Sequence, residues 1–196
     1  MPLPPSPYAH FVEHPRFGKG PRRTGLDPAN TPDGSVFLHW HSGPDVRVPG
    51  TAIAAATAEQ LPATVQVTHY FDAKRICRKC RRPFLFFAEE QKHWYEVLKF
   101  PLEADCLECV PCRKEEQHLH RAQREYAALL ADPARSEEQT LDLVERGVLL
   151  VESAVHTNKS LPRLRALLKL ALVSGAGSIR SRAEALSARI KRVEGR

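Results

Sequence analysis

Five cysteines carry most of the chemistry that this sequence offers. Cys77 and Cys80 are two residues apart, Cys109 and Cys112 repeat that spacing, and 28 residues separate the pairs. A two-residue spacing lets the backbone turn so that both sulfurs of a pair point inward. Two such pairs can place four thiolates around one ion. Tetrahedral thiolate coordination suits zinc, with Zn–S near about 2.3 Å, so one Zn2+ per chain is predicted at Cys77, Cys80, Cys109 and Cys112. Arg78, Lys79, Arg81 and Arg82 beside the first pair favour thiolate over thiol. The filled site carries −2, which brings the formal +6 of the chain to about +4. Rubredoxin-like iron fits less well, because redox iron sites favour small, uncharged knuckle turns. A thioredoxin-like dithiol needs a strand–CxxC–helix unit that the pattern lacks.

Cys106 makes a third thiol near the second pair, at the same two-residue spacing from Cys109. Cys112 is better placed to open a helix, and the second pair repeats the spacing of the first. Cys106 is therefore left as a spare thiol, a neighbour of the site or a redox-sensitive group. An iron–sulfur run of the C-x2-C-x2-C-x3-C type is not completed, since position 116 is Glu. Four thiolates close a zinc shell, whereas a catalytic zinc keeps an open position. The sequence has no Gly-rich phosphate loop, GxSxG elbow or HExxH. The expectation is a structural zinc and no enzyme. Glu89, Glu90 and Glu96 are expected on a solvated helix face. His39 and His41, on one face of a strand, read as polar surface rather than a second metal site. His93 reads as structural.

The elements that must position the cysteines emerge from pattern. The first 35 residues hold eight of the sixteen prolines and four of the ten glycines, so an irregular arm is predicted over 1–35, anchored by Phe11, Phe17 and Leu26. Residues 36–41 alternate with Val36, Leu38 and Trp40 on one face, and 64–71 alternate again; both read as strands. Residues 84–87 are dense in strand formers. Residues 88–98 read as a helix burying Trp94, Val97 and Leu98. Pro111 suits a first helical turn, and a long helix comes next, with Leu119, Tyr126, Leu129 and Leu130 on one stripe. A knuckle, then strands, then a helix whose first turn supplies the last ligands is a treble-clef arrangement.

Beyond it the pattern stays helical. Ser136 and Gln139 form a capping box ahead of Leu141, Val144, Val148, Val151 and Val155. Ser160 is expected to cap a helix with Leu161, Leu164, Leu168 and Leu172 on one side, broken by Gly175 and Gly177. Ile179, Ala183, Leu186, Ile190 and Val193 mark another. The fold class is thus α+β. An irregular arm (1–35) leads to a small treble-clef-like zinc domain with short strands (36–135), then a helical C-terminal region (136–196).

The run from Thr68 to Arg113 resembles the zinc-ribbon, treble-clef-type domain family of bacterial proteins. The matching residues are Tyr70, Phe71 and Asp72, the first cysteine pair within 77–87, the segment 88–96, and 109–113. The resemblance covers about a quarter of the chain. It implies a zinc site at Cys77, Cys80, Cys109 and Cys112, and no activity.

Charge points to partners. Lys plus Arg is 29 against 23 Asp plus Glu. Between residues 159 and 192 nine basic residues face one acid, Glu184, and residues 74–82 hold six basic residues and no acid. Such clusters favour anionic partners. Two readings fit: a zinc-stabilised binding module for nucleic acid or ribonucleoprotein, and an adaptor in which zinc staples the fold and an acidic protein surface docks. For the first, the candidate contacts are Arg78, Lys79, Arg81, Arg82, Arg163, Arg165 and Lys169, with Trp94, Tyr95, Tyr70 and Phe87 as stacking groups. The C-terminal basic side chains, Arg182 and Arg189 among them, are expected to face outward. No small-molecule substrate is evident. No apolar run approaches the roughly 18 residues of a membrane helix. An odd cysteine count without an export signal predicts a reduced, cytoplasmic protein.

Overall fold

A computed structural model describes residues 6–174 and 177–195. The chain forms two compact units, divided between Arg113 and Lys114.

The first unit contains two small antiparallel sheets. In one, β1 (Ile53–Ala54) pairs with β2 (His69–Tyr70). In the other, β3 (Ala73–Ile76) pairs with β4 (Pro83–Phe86), with Ala73 opposite Phe86 and Ile76 opposite Pro83. The β3–β4 connection is the first cysteine knuckle. Along β4 and the next residue the side chains alternate between two apolar clusters, as a period of two requires. Phe84 and Phe86 join Val12 and the cysteines Cys77, Cys106, Cys109 and Cys112. Leu85 and Phe87 join Phe11 and Val48, with Tyr8 and Phe17 against them.

The N-terminal arm is irregular but packed. The Val12 N–H donates to the Pro83 carbonyl at 2.7 Å, and the Thr24 and Gly25 N–H groups donate to the Gly50 carbonyl. Phe11 is buried and Phe17 partly so. Leu26 is not an anchor, being 52% exposed; its backbone carbonyl makes the contact instead, accepting from Ala52.

Two strand expectations are corrected. In 36–41 only Leu38 pairs, through a single parallel bridge to His69, and residues 40–41 turn. Trp40 therefore leaves the face of Val36 and Leu38 and is 47% exposed, while His39 is buried. In 64–71 only His69 and Tyr70 are strand. Both segments alternate, but a strand also needs a neighbour along its length, and only one or two residues have one.

The helix over 88–98 begins as α1 (Ala88–Lys92) and widens into a π-turn, His93–Val97. The Leu98 N–H accordingly reaches back five residues to His93. That extra residue per turn rotates the buried face. Tyr95 and Glu96 point inward, whereas Val97 and Leu98, expected inside, are 64% and 47% exposed.

α2 (Val110–Ala131) starts at the second cysteine pair. In the second unit α3 (Glu137–Glu152), α4 (Leu161–Ser174) and α5 (Ser178–Glu194) each pack on the other two. The Ser136–Gln139 capping box is present in both directions. The expected stripes bury Leu141, Val144, Val148, Leu164, Ala183 and Ile190. Val155 falls beyond α3 and is exposed. Ser160 ends a 3-10 turn that leads into α4, and its hydroxyl donates to the Thr157 carbonyl at 3.0 Å. Gly177, at φ +56°, breaks the chain before α5; Gly175 lies outside the described residues. Among the described residues no helix is long and apolar enough to cross a membrane.

Candidate metal centre

Four elements bring the thiols together. Cys77 follows β3, Cys80 lies in the knuckle turn, Cys109 precedes α2, and Cys112 sits in its first turn. The knuckle closes through the Cys77 N–H to the Arg82 carbonyl and the Arg81 N–H to the Cys77 carbonyl. Arg81 adopts φ +60°, the left-handed conformation that this reversal needs. The Arg78 N–H donates to Leu107 at 2.9 Å and ties the knuckle to the loop before the second pair.

The Sγ atoms of Cys77, Cys80, Cys109 and Cys112 all lie within 4.8 Å of one another. Cys80 Sγ is 3.8 Å from Cys109 Sγ. A tetrahedron with Zn–S near 2.3 Å has edges of about 3.8 Å, so this separation is that of two ligands on one zinc ion. The Cys80 and Cys109 N–H groups both point at Cys77 Sγ, at 3.5 Å. Burial, the largest influence on Cys77, works against its thiolate, yet these donors bring its pKa down to about 6. Burial and the neighbouring sulfurs push Cys109 and Cys112 up. Four crowded sulfurs cannot all ionise unaided. A divalent cation supplies the charge that holds four thiolates together, and the α2 N-terminus adds to it at Cys112.

Cys106 stays outside this cluster. It is buried, its thiol donates to the Glu108 carbonyl at 3.3 Å, and burial pushes its pKa up to about 12. Among the described residues no second group of His, Cys, Asp or Glu gathers as a metal site. His39 has both ring nitrogens engaged: Nε2–H donates to the Leu102 carbonyl at 2.7 Å, and Nδ1 accepts from the His41 N–H at 3.1 Å. Burial lowers its pKa to about 4, so it is neutral at physiological pH. His93 is exposed.

The three glutamates are not a solvated face. Glu90 and Glu96 are buried and Glu89 is partly so. Glu90 pairs with Arg113, which follows the last zinc ligand and stacks over Trp94 at 4.9 Å. Glu96 pairs with Lys92 at 2.7 Å and accepts from the Ala56 N–H; Glu89 pairs with Arg22 at 2.6 Å. A short helix crossed by other chain segments on several sides has little face left for water.

Two residues to which the sequence reading gave no role hold the frame around the zinc. Buried Asp72 accepts from the Ala88 N–H at 2.8 Å, at the start of α1, and from the Arg22 N–H at 2.7 Å, in the arm. Burial raises its pKa to about 6. Gln91 donates to the Phe71 and Phe86 carbonyls, at 2.6 and 2.9 Å. The signal was Asp72 standing between Phe71 and Ala73, and Gln91 sharing a helix face with Phe87, Ala88, Trp94 and Tyr95, where a buried polar group must find partners.

The expected stacking groups are core. Tyr70, Tyr95 and Phe87 are each 1% exposed or less, and Trp94 is partly buried against Phe86 and Phe100. Arg78, Lys79, Arg81 and Arg82 are all exposed on the knuckle. Arg163, Arg165 and Lys169 are exposed on α4, in the other unit, but Arg165 pairs with Glu194. Arg182 and Arg189, expected to face outward, are held by α3 acids: Arg182 by Asp142 and Glu145, Arg189 by Glu152. The acids that answer Arg182 and Arg189 lie earlier in the sequence, on α3, and the one that answers Arg165 lies at the end of α5; all come next to the basic run only on folding.

Neither the curated proteins nor the solved structures contain a match to the chain. A family model described as a probable treble clef domain matches residues 71–121, about a quarter of the chain. That stretch contains all four clustered cysteines, and with their geometry it identifies residues 71–121 as a treble clef zinc-binding domain with four cysteine ligands.

Proposed function

We propose that the protein is a non-catalytic binding module whose zinc knuckle contacts the phosphates of a nucleic acid. The observation that carries this reading is the knuckle itself. Arg78, Lys79, Arg81 and Arg82 stand exposed on one turn, and no acid falls between residues 74 and 82. Zinc fixes that turn from beneath, so the cations are presented without the ordering cost of a flexible basic tail. The C-terminal helices are the weaker candidate surface, since several of their arginines already have carboxylate partners. A closed thiolate shell leaves no position at which zinc could activate water. A buried thiol at Cys106 and four zinc-binding cysteines suit a reducing compartment, the cytoplasm.

The test is binding of the full chain to RNA and DNA oligomers across a salt series. Each phosphate contact adds about 0.7–0.9 to the slope of log affinity against log salt. Arg81→Glu with Arg82→Glu should weaken binding and lower that slope by about 1.4–1.8, with one zinc still bound. The matching reversal of Arg163, Arg165 and Lys169 should change it less. Absence of binding at low salt would discard the nucleic-acid reading in favour of an adaptor docking an acidic protein surface.

A further inference from the structure

The largest exposed ring in the described part of the first unit is Trp40, and it ends a column of rings. Tyr70 stacks on Tyr95 with centroids 5.8 Å apart and planes 26° apart. Tyr95 stacks on His39 at 5.5 Å and 22°, and His39 on Trp40 at 4.5 Å and 21°. The three inner rings are buried, while Trp40 is 47% exposed. His39 is pinned at both nitrogens, to the Leu102 carbonyl and the His41 N–H, so it is a fixed and uncharged support for one face of the indole. The indole is thus half-covered by a rigid base and opens to solvent on its other side.

The surroundings suit a planar, polar-edged ligand. Trp40 lines a surface groove with Asn30, Ser42, Pro44 and Arg47. The Asn30 amide oxygen accepts from the Leu38 N–H at 2.7 Å, which fixes the amide and leaves its NH2 donors available. Arg47, whose guanidinium lies over the Phe71 ring at 5.3 Å, adds a positive charge to the groove lining, which among the described residues includes no acid. The Trp40 turn is also joined to the knuckle strand. Arg75 Nη2 donates to the His41 carbonyl at 2.7 Å, and Arg75 lies on β3, which runs directly into Cys77. Arg78, in the turn after β3, is three residues from Arg75, at most about 10 Å of chain.

We propose that Trp40 is a stacking platform for an unpaired base of a single-stranded nucleic acid whose backbone lies on the zinc knuckle. The inference rests on the reading of the knuckle as a phosphate-binding surface. Every base offers a π-face, so the contact favours single strands over duplex and carries little sequence preference.

The test compares three probes with the full-length zinc protein at low salt: oligo(U) and oligo(dT), an abasic oligomer of the same length, and a duplex. Trp40→Ala should weaken oligo(U) and oligo(dT) binding by roughly 5- to 150-fold, as expected for loss of one stacked base. Trp40→Phe should recover most of it. Neither substitution should change affinity for the abasic oligomer or the duplex, and zinc content should stay at one. The chain has two tryptophans, so Trp94→Phe leaves Trp40 as the sole emitter, and its fluorescence should be quenched by oligo(U) and not by the abasic oligomer. If the abasic oligomer binds as tightly as oligo(U), or Trp40→Ala binds like the parent, the platform is disproved while the knuckle reading stands. If no probe binds at low salt, the knuckle reading fails and the platform with it.

Discussion

Residues 6–113 and residues 114–195 reach a folded state by different physical routes. The first stretch has four strands of two to four residues, one short helix and a long irregular arm. Its segments are joined by a four-thiol cluster and by buried polar side chains, Asp72, Gln91 and His39 among them. The second stretch is helical, its core is Leu, Val, Ile and Ala, and its polar contacts are ion pairs at the rim. A side chain such as Asp72 or Gln91 substitutes for secondary structure by meeting distant backbone groups one at a time. A helix bundle needs no such bonds, because each helix satisfies its own backbone. The first unit should therefore fail steeply when one tie is cut, and the second should lose stability in proportion to the apolar volume removed.

Zinc removal should separate the two most sharply. Structural zinc supplies about 10–16 kcal/mol in small metal domains, as much as a domain's whole stability. Chelation, or Cys77→Ser, should abolish the near-ultraviolet circular dichroism of the first unit's aromatics while most of the helical far-ultraviolet signal survives. Collapse of both signals together would show that the units are not independent. Cys106→Ser should leave one zinc bound.

Leu164→Ala tests the other side. Leu164 is fully buried against Gly147, where an added Cβ would sit 2.8 Å from its Cδ2. Truncation should cost about 2–5 kcal/mol in denaturant unfolding of the helical unit. Zinc affinity should not change, and a change would blur the contrast.

His39 gives the first unit a pH signature. Its folded pKa of about 4 lies below the unfolded value near 6.5. Stability from keeping it neutral is complete above pH 6.5 and is lost as pH falls toward 4. Between pH 7 and 5 the loss is about 2 kcal/mol. Asp72, raised to about 6, acts with the opposite sign over part of that window. The measurement is therefore the difference between the parent and His39→Gln, whose curve should be flatter by that amount. Parallel curves would refute the assignment.

The smallest effect is expected at the rim of the bundle. Arg182→Ala removes pairs to Asp142 and Glu145, all of them a third or more exposed. Solvent screening limits the loss to about 1 kcal/mol or less, shrinking with salt. A loss of several kcal/mol would mean that ion pairs, and not the apolar stripe, hold the helices.

Legibility in the sequence divides along the same line. Thiol spacing, the Ser136 box and the stripes of α3 to α5 are local rules, and they are met except at Val155, which falls beyond α3. Errors gather where a residue's surroundings come from far along the chain. Trp40 follows the period of its neighbours, yet Leu38 alone finds a partner strand residue, in His69. Glu90 looks like a surface acid until Arg113 and His14 arrive from either end of the first unit. Arg182 looks free until α3 supplies its acids. Tyr70 and Tyr95 look like surface rings only because the residues that cover them are remote. Asp72 is visible between Phe71 and Ala73, and Gln91 on the helix face of Phe87 and Tyr95, but nothing local names the Ala88 N–H or the Phe71 carbonyl as their partners.

The π-turn at His93–Val97 is a place where the length of this segment can change through evolution. It contains one residue more than an α-helical path of the same number of turns would use. A lineage that deleted one of these residues would regain α-helical pitch over the same number of turns and leave the downstream chain in place. Buried Leu102 would then keep its position, and the deletion is tolerable as long as it spares Tyr95, whose hydroxyl reaches the Ala104 carbonyl at 2.6 Å. One-residue deletions should therefore be found at exposed Val97 as well as in the exposed stretch 61–65, whereas deletions that shift Tyr95 should be purged.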